Sequence, residues 1–429
     1  MTWCDFRASF TACLSAACGA MPGQAIAQPV EYGHKLVASD ADDRDSFGRD
    51  VAVRDGIVAV GSVEDDDMGL NSGAVYLYDA QTGMELRKIV PLSSSASDEI
   101  GWSITIENGA VFFGTIYDDD NGTDSGAVYQ YDIATGSEIR KIVPQDTRPG
   151  LNFGGAIDVH DGVLAVAAVG DDISGTLSGA VYLFDATTGA QLHKLSPSDG
   201  AERDYFGSSV ALSNGYLWVT AAYDDDDGED SGSAYVFDVL TGEELFKVKP
   251  DDGEPSKFFG VRAAADNGIV VIGAPLDNEV AMYSGAAYVF DIATGAQLDK
   301  LLPDEGQALD FFGSSVAIDG GLIVSGSPRD DDNGSGAGSA HLFDAASGDR
   351  IDVLYPPKPG DGGELGSAVA IHNGVVVAGE TGNDDFGPSS GAAHTFRVVQ
   401  ECLADTNHDG MLTPTDFTAW IANYNAGCP

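Results

Sequence analysis

The chain has 429 residues, of which 68 are Asp or Glu and 21 are Lys or Arg, so its formal net charge is −47. An acidic excess of that size excludes the basic face that nucleic-acid binding requires, and it disfavours electrostatic attachment to anionic lipid. Because 43% of the residues are hydrophobic and 55 are Gly, the composition favours a folded, turn-rich β protein over a disordered or helical one.

The first 27 residues have the features of an export signal. Arg7 precedes a modest apolar stretch from Phe10 to Met21, and Ala25-Ile26-Ala27 forms an A-x-A cleavage pattern. No later apolar run reaches the ~18 residues needed to span a bilayer. We therefore expect segment 1–27 to direct the protein to secretion or to the cell surface. The alternative is a frayed N-terminal segment of a cytosolic protein.

Three landmarks then recur every 53 residues in seven copies. One is a pair such as Phe47-Gly48, and another is a tight turn such as Asn214-Gly215. The third is the string Ser72-Gly73-Ala74-Val75-Tyr76, whose first glycine recurs at Gly73, Gly126, Gly179, Gly232, Gly285, Gly338 and Gly391. Since no copy carries an insertion, each unit must be structurally equivalent to the next.

Each unit predicts four short antiparallel strands, here described for the fourth copy. Strand one lies near Gly207 to Leu212, strand two covers Tyr216 to Ala222, strand three covers Ser233 to Asp238, and strand four covers Glu244 to Lys249. Asn214-Gly215 suits a type I′ hairpin, because both central residues need a positive φ. Strands three and four are joined by an Asp-x-x-Thr/Ser-Gly turn in six copies, in which Asp bonds the downstream backbone.

Seven such units predict an all-β fold, a seven-bladed β-propeller over residues 31–398. The seventh unit lacks a fourth strand, but His34-Lys35-Leu36-Val37 precedes the first unit, and Leu36 lies 53 residues before Ile89. The N-terminal strand should therefore complete the last blade and close the ring, which removes the exposed edges of an open array. The rival architecture is an open β-solenoid of seven units.

The acidic residues concentrate on one face of the predicted ring, which we call the long-loop face. This face carries the loops that join strand two to strand three (the two–three loops) and those that join strand four to strand one of the next unit (the four–one loops). They share a face because successive antiparallel strands reverse direction. Eight-residue loops at these connections hold 41 of the 68 acids and only six basic residues. Long loops on a rigid scaffold commonly carry function, and charge crowded in this way calls for counter-ions.

Three of the two–three loops place side-chain oxygens at i, i+2 and i+6, with Gly at i+4, a pattern that suits Ca²⁺. They supply our second-choice calcium ligands: Asp65, Asp67 and Asn71; Asp118, Asp120 and Asp124; Asp224, Asp226 and Asp230. The alternative is a solvated acidic rim with diffuse counter-ions.

The repeat resembles the FG-GAP family, which includes the propeller of integrin alpha subunits and many bacterial surface proteins. The resemblance is carried by Phe206-Gly207-Ser208-Ser209-Val210-Ala211, by Gly273-Ala274-Pro275 and by the Ser72 to Tyr76 string. It implies a propeller that acts in adhesion or surface assembly. The family's calcium loop, D-x-D-x-D-G-x-x-D, belongs where this chain has only the tight Asn-Gly turn, so integrin metal sites and ligand specificity are not carried over.

After Val399 the pattern becomes that of an EF-hand loop followed by a short helix, Phe417 to Tyr424. Segment 399–429 is similar to half of a dockerin repeat, so a cohesin-like partner is a lesser expectation. Our first-choice calcium ligands are Asp405, Asn407, Asp409, the Met411 carbonyl and Asp416.

Two cysteines, Cys402 and Cys428, flank this C-terminal segment. In an oxidising compartment an even pair of this kind favours a single disulfide, which would hold the segment together. The alternative is two unpaired buried thiols.

The axis of the predicted ring is the usual place to look for catalysis. Positions of strand one near the axis are mostly small: Asp50, Ser103, Ala156, Ser209, Arg262, Ser315 and Ala368. The seven His are scattered, and no H-E-x-x-H, P-loop or nucleophile-elbow motif occurs in the context it requires. Asp50 and Arg262 are better explained as a polar pair lining a channel, so no catalytic residue is predicted.

Two functional hypotheses follow. The favoured one is a secreted, non-enzymatic, calcium-binding, monomeric propeller that binds an extracellular protein or polysaccharide through its long-loop face. The other is an extracellular carbohydrate-active hydrolase or lyase with a dockerin-like tail. Loss of turnover on substitution of Asp50 or Arg262 would favour the second.

Overall fold

The structure is a computed structural model that describes residues 30–303, 306–358 and 360–399. The predicted export signal, the C-terminal calcium loop and the Cys402–Cys428 pair lie outside the described residues and stay predictions. The propeller forms one compact unit, Val30–Arg397. Within the described ranges, no helix has both the length and the apolar character that crossing a membrane demands.

The described residues form 28 strands. In chain order they are β1 (Val30–Leu36), β2 (Phe47–Arg54), β3 (Ile57–Ser62), β4 (Ala74–Asp79), β5 (Glu85–Ile89), β6 (Ser103–Glu107), β7 (Ala110–Thr115), β8 (Ala127–Asp132), β9 (Glu138–Ile142), β10 (Phe153–His160), β11 (Val163–Ala168), β12 (Ala180–Asp185), β13 (Gln191–Leu195), β14 (Val210–Ser213), β15 (Tyr216–Ala221), β16 (Ser233–Asp238), β17 (Glu244–Val248), β18 (Ala263–Asp266), β19 (Ile269–Ala274), β20 (Ala286–Asp291), β21 (Gln297–Leu301), β22 (Ser315–Asp319), β23 (Leu322–Ser327), β24 (Ser339–Asp344), β25 (Arg350–Leu354), β26 (Leu365–His372), β27 (Val375–Glu380) and β28 (Ala392–Val398).

These strands build seven four-stranded sheets, which confirms the predicted seven-bladed propeller. In blades one to six the strand order follows the sequence, from β2-β3-β4-β5 to β22-β23-β24-β25. Blade seven has the order β1-β28-β27-β26, so the N-terminal strand supplies its missing outer strand as predicted. The open solenoid is therefore excluded.

The joint between blades seven and one has the same backbone contact as five of the other joints. A parallel bridge links Gly73 to Ile100 between blades one and two, and the equivalent bridge links Gly391 to Phe47 across the closure. Glycine is required at these positions because φ is positive and a side chain would collide with the next blade. At Gly232, for example, φ is 82° and a Cβ would lie 2.0 Å from the Phe259 carbonyl oxygen.

Strand one is the element whose predicted bounds differ most from the structure. In blade four it begins at Val210, later than expected, because the N–H groups of Gly207 and Ser208 both donate to the Thr220 carbonyl. Two residues facing one partner disrupt the regular ladder in the manner of a β-bulge. The hairpin that follows is as predicted, with φ values of 54° at Asn214 and 79° at Gly215.

The hydrophobic core lies within and between the blades. The phenylalanine of each Phe-Gly pair packs on strand three, and in blade four the Phe206 ring lies 5.4 Å from Tyr235 and 5.8 Å from Phe237. Phe206 and Tyr235 are fully buried. Burial of one such side chain stabilises the fold by about 2 kcal/mol, so the repeated motif is primarily a packing device.

Candidate functional site

The acids of the two–three loops first serve the loops themselves. In blade four, Asp224 Oδ1 accepts the Asp226 N–H at 3.0 Å, and Asp225 Oδ1 accepts the Asp230 N–H at 2.8 Å. The same two bonds recur in all seven loops, with Asn in place of Asp at two of the accepting positions. Part of the acidic composition is therefore turn chemistry, in which a short side chain replaces a backbone acceptor.

A lysine from strand four meets these loops in blades one to five. Its Nζ lies 2.6 to 3.0 Å from the first aspartate of the loop. The five pairs, which we call the lysine clusters, are Lys88–Asp65, Lys141–Asp118, Lys194–Asp171, Lys247–Asp224 and Lys300–Asp277.

The lysine cluster of blade four shows how the ammonium is held. Lys247 Nζ lies 2.9 Å from Asp224, 2.9 Å from Asp199 and 2.7 Å from Asp226. It also lies 4.8 Å from the centre of the Tyr235 ring, whose hydroxyl donates to Asp199 and Asp224. Burial opposes the charge of Lys247, but the hydrogen bonds to the carboxylates outweigh burial and raise its pKa. The cluster is a preformed ammonium site.

The second-choice calcium ligands are only partly brought together. Asp65 lies with Asp67, Asp118 with Asp120, and Asp224 with Asp226, but in each case a lysine ammonium occupies the space between the carboxylates. The third predicted calcium ligand of each loop has another role. The backbone N–H groups of Asn71, Asp124 and Asp230 donate hydrogen bonds to a neighbouring aspartate of the same loop. Among the residues that the structure describes, no group of three or more His, Cys, Asp or Glu is arranged to hold a metal ion.

These donor sets fit an ammonium ion better than Ca²⁺, because the cation is already supplied by the chain. Calcium at these loops stays a prediction. Sequence reasoning counted the loop acids but overlooked their partners on strand four. The missed signal was plain, since lysine recurs at the 53-residue spacing: Lys35, Lys88, Lys141, Lys194, Lys247 and Lys300.

A cavity of about 320 Å³ lies on the axis of the ring. All seven predicted axial positions line it, which confirms their placement. Asp50 Oδ2 accepts the Ile104 N–H at 2.6 Å, and Asp158 Oδ2 accepts the Leu212 N–H at 2.7 Å. These bonds join the first strands of adjacent blades, a structural role for both carboxylates.

The axial carboxylates differ electrostatically from lysine-bound carboxylates of the rim such as Asp252, whose pKa is lowered. Burial raises the pKa of Asp50 to about 6, although Arg262 and the Ile104 N–H oppose it. Burial likewise raises the pKa of Asp158 to about 6. Arg262 donates to the Val261 carbonyl at 3.3 Å, so its described hydrogen bond is also to the backbone.

Half-exposed aromatic side chains form a further feature of the long-loop face, which we call the aromatic patch. The Tyr223 ring lies 4.9 Å from Tyr205 and 5.0 Å from Phe258, and Tyr223 is 40% exposed. Tyr205, Phe258 and Phe311 each precede a Phe-Gly pair and have φ values of 52°, 54° and 56°. The same left-handed backbone occurs at the equivalent residue of the other blades, such as Ser46 and Asn152, so it belongs to the repeat, and the aromatic side chain is what distinguishes these three copies. Sequence reasoning missed this patch, although the doubled aromatics before Gly207, Gly260 and Gly313 could have revealed it.

Blade seven holds its charges differently. Lys35 of the closing strand lies 2.5 Å from Asp385, which is exposed. The buried polar contact is instead Glu380 Oε2 to His394 Nε2 at 2.9 Å. Tyr32 on the closing strand hydrogen-bonds His394 Nδ1 at 3.1 Å, so the contact reaches the strand that closes the ring.

Comparisons with known proteins agree with this architecture. The family model described as FG-GAP repeat matches residues 33–78, 84–131, 137–184, 190–237, 243–290 and 296–343. No curated protein matches the chain. The crystal structure of the computationally designed Ika8 protein is 18% identical, with a TM-score of 0.50 over 85% of this chain and 100% of that one, a likeness of fold alone. Because the matched repeats cover well over half of its residues, the chain belongs to the FG-GAP repeat family.

Proposed function

We propose that this protein is a secreted or cell-surface, non-enzymatic, calcium-binding propeller that binds an extracellular protein or polysaccharide through its long-loop face. Its role would be adhesion or surface assembly, and it would act as a monomer. The observation that carries the proposal is the aromatic patch, where the Tyr223 ring packs against Tyr205 and Phe258 and yet remains exposed. Partly exposed aromatic rings bordered by polar loops are the usual composition of a binding surface.

Calcium enters the proposal at the C-terminal loop. The supporting observation is the sequence pattern Asp405, Asn407, Asp409, Met411 and Asp416, whereas the rim carboxylates already hold lysine. Equilibrium dialysis of the full chain should detect bound Ca²⁺ that the substitution Asp409→Ala removes. The double variant D65N/D67N should leave that binding unchanged. Loss of Ca²⁺ in the rim variant alone would move the site to the long-loop face.

The patch is tested by a screen of polysaccharides and extracellular proteins, with and without EDTA. We expect Tyr223→Ala to weaken binding of the ligand found by tenfold or more, because a central exposed ring supplies a large share of contact energy. The matched control is Leu240→Ala, since Leu240 is 86% exposed in the tight turn on the opposite face. Equal affinities of the two variants, measured by calorimetry, would contradict the proposal.

A carbohydrate-active enzyme is the second candidate. It is favoured by the two axial carboxyl groups, Asp50 and Asp158, whose pKa values of about 6 suit proton transfer near neutral pH. Turnover of any polysaccharide that Asp50→Asn abolishes, with the fold retained, would replace the first proposal by this one.

A further inference from the structure

The sixth blade lacks the lysine that the first five blades share. Val353 of β25 stands where Lys300 stands in blade five, 53 residues earlier. The acids of the two–three loop remain, with Asp330 and Asp332 at the positions of Asp277 and Glu279. The acidic half of the cluster is therefore present without its own ammonium.

A cavity of about 430 Å³ opens at this place. Asp310, Asp330, Asp332 and Val353 are among the residues that line it. Asp330 is only 5% exposed, whereas Asp332 is exposed, so the cavity runs from a buried carboxylate to the surface of the long-loop face. Among the residues that the structure describes, no Lys or Arg forms an ion pair with Asp330 or Asp332, and the basic group beside Asp330 is His341, whose Nε2 lies 3.8 Å from Asp330 Oδ2. His341 and Arg350 also line the cavity.

The hydrogen bonds of Asp330 leave room for one more donor. Ser339 Oγ donates to Asp330 Oδ2 at 2.6 Å. In blade four the corresponding oxygen of Asp224 accepts both the Tyr235 hydroxyl and Lys247 Nζ. Ser339 thus donates to this oxygen as the tyrosine does in blade four, and His341, which stands at the tyrosine position, hydrogen-bonds Ser339 Oγ at 3.0 Å. Val353, at the lysine position, lines the cavity.

The missing lysine of blade six also changes the charge interactions that act on the pKa of its loop carboxyl groups, compared with those of blade four. Burial raises the pKa of Asp310, and the neighbouring Asp330, Asp332 and Asp331 raise it further. Burial also raises the pKa of the equivalent Asp204 in blade four, but there Lys247 lowers it. The loop acids of blade six therefore repel one another without the lysine that offsets this repulsion in blade four.

We propose that blade six binds an alkylammonium group from another molecule, with Asp330 and Asp332 as the carboxylates that receive it. The group is a lysine side chain of a partner protein or a free primary amine. Four blades of the same chain hold Nζ with both equivalent carboxylates at 2.5 to 3.0 Å, and blade three holds it with the first carboxylate alone, so the recognition chemistry is demonstrated within the molecule. The inference deepens the proposed function by naming a chemical group that the long-loop face selects.

The test uses the full chain and three soluble probes, with binding measured by saturation-transfer NMR and calorimetry. The probes are Nα-acetyl-lysine methylamide, n-butylammonium, and the norleucine analogue that lacks the ammonium. We expect both amines to bind at one site, at least tenfold more tightly than the norleucine analogue. Tighter binding of the lysine probe than of butylammonium would identify a protein partner, and equal binding would identify a free amine.

Two variants decide whether blade six is the site. Val353→Lys supplies the missing ammonium and should abolish amine binding, whereas Val353→Thr, of similar size, should retain it. Lys247→Val empties the cluster of blade four and should add a second site. Amine binding that is absent in the wild type, or unchanged by Val353→Lys, would overturn the proposal.

Asp332→Asn keeps the inference testable if Val353→Lys fails to fold. Because Asp332 is exposed, this change should leave the fold intact and weaken amine binding several-fold. Unchanged affinity would count against the site. The amine titration needs no natural partner, so a negative screen for glycans and proteins with a positive titration would refute only the proposed function.

Discussion

Blades four and seven have the same four-stranded architecture but are connected differently along the chain. Blade four is contiguous, and its buried Asp224 is held by Lys247 from its own outer strand. Blade seven takes its outer strand from the N-terminus, and its lysine pair, Lys35–Asp385, is more exposed than the pair in blade four. The buried polar contact there is Glu380 with His394, which Tyr32 extends to the closing strand. A strand that is not joined by a hairpin is thus anchored by a buried polar chain of its own.

The largest effect should come from breaking that anchor. Glu380 is 1% exposed and accepts hydrogen bonds from His394 and Asn383, so Glu380→Ala leaves two buried polar groups without their acceptor. Leaving a buried donor without its acceptor costs about 1–3 kcal/mol for each group. We expect a loss of that size in the free energy of unfolding, measured by urea denaturation. Hydrogen exchange of the β1 amides should accelerate at the same time.

The matched control lies in the same blade. Asp385→Ala removes the exposed partner of Lys35, and exposed ion pairs contribute about 0–1 kcal/mol. If the two variants were equally stable, or if β1 exchanged no faster in Glu380→Ala, the closing strand would not depend on the buried chain.

A smaller effect is expected when the contiguous blade loses its lysine. Lys247→Met keeps the length of the side chain but leaves Asp224, which is 4% exposed, without its ammonium. We expect the loss of the ammonium to lower the free energy of unfolding by about 2 kcal/mol. The retained hydrogen bond from the Tyr235 hydroxyl to Asp224 limits the loss to this size. The control is Lys249→Met on the same edge, because Lys249 meets Asp227 in a more exposed pair. Similar unfolding midpoints for both variants would show that the cluster contributes no more than a surface ion pair.

Much of this comparison could be foreseen from the sequence. The 53-residue period predicted the blades, the hairpins and the closing strand, because repeated local signals such as Asn214-Gly215 determine the same turn each time. The lysine clusters escaped prediction because they join residues 23 positions apart across strand three, such as Lys247 and Asp224. Loop spacing alone made Asp224 and Asp226 look like metal ligands. Only the packed blade shows that an ammonium lies between them.

The smallest effect concerns pH, where lysine-bound and axial carboxylates respond in opposite directions. Burial opposes ionisation of Asp252, but hydrogen bonds from Lys300, Tyr288 and Lys257 lower its pKa to about 2, so its contribution to stability is lost only as pH falls toward 2. The pKa of Asp50 is raised to about 6 by burial, so the folded state binds its proton more tightly than the unfolded state. That contribution is present at low pH and is lost as pH rises through about 6.

Together these signs place a stability maximum near pH 4, where the two ranges meet, with stability falling as the pH rises from about 4 to about 6. Asp50→Asn retains an acceptor for the Ile104 N–H but cannot ionise, so it should flatten the decline between about pH 4 and 6. Thermal unfolding of the wild type and the variant across this range measures the difference. A decline of the same slope in both would mean that Asp50 is ionised at all these pH values and that the axis, like the rim of blade four, keeps its charge compensated.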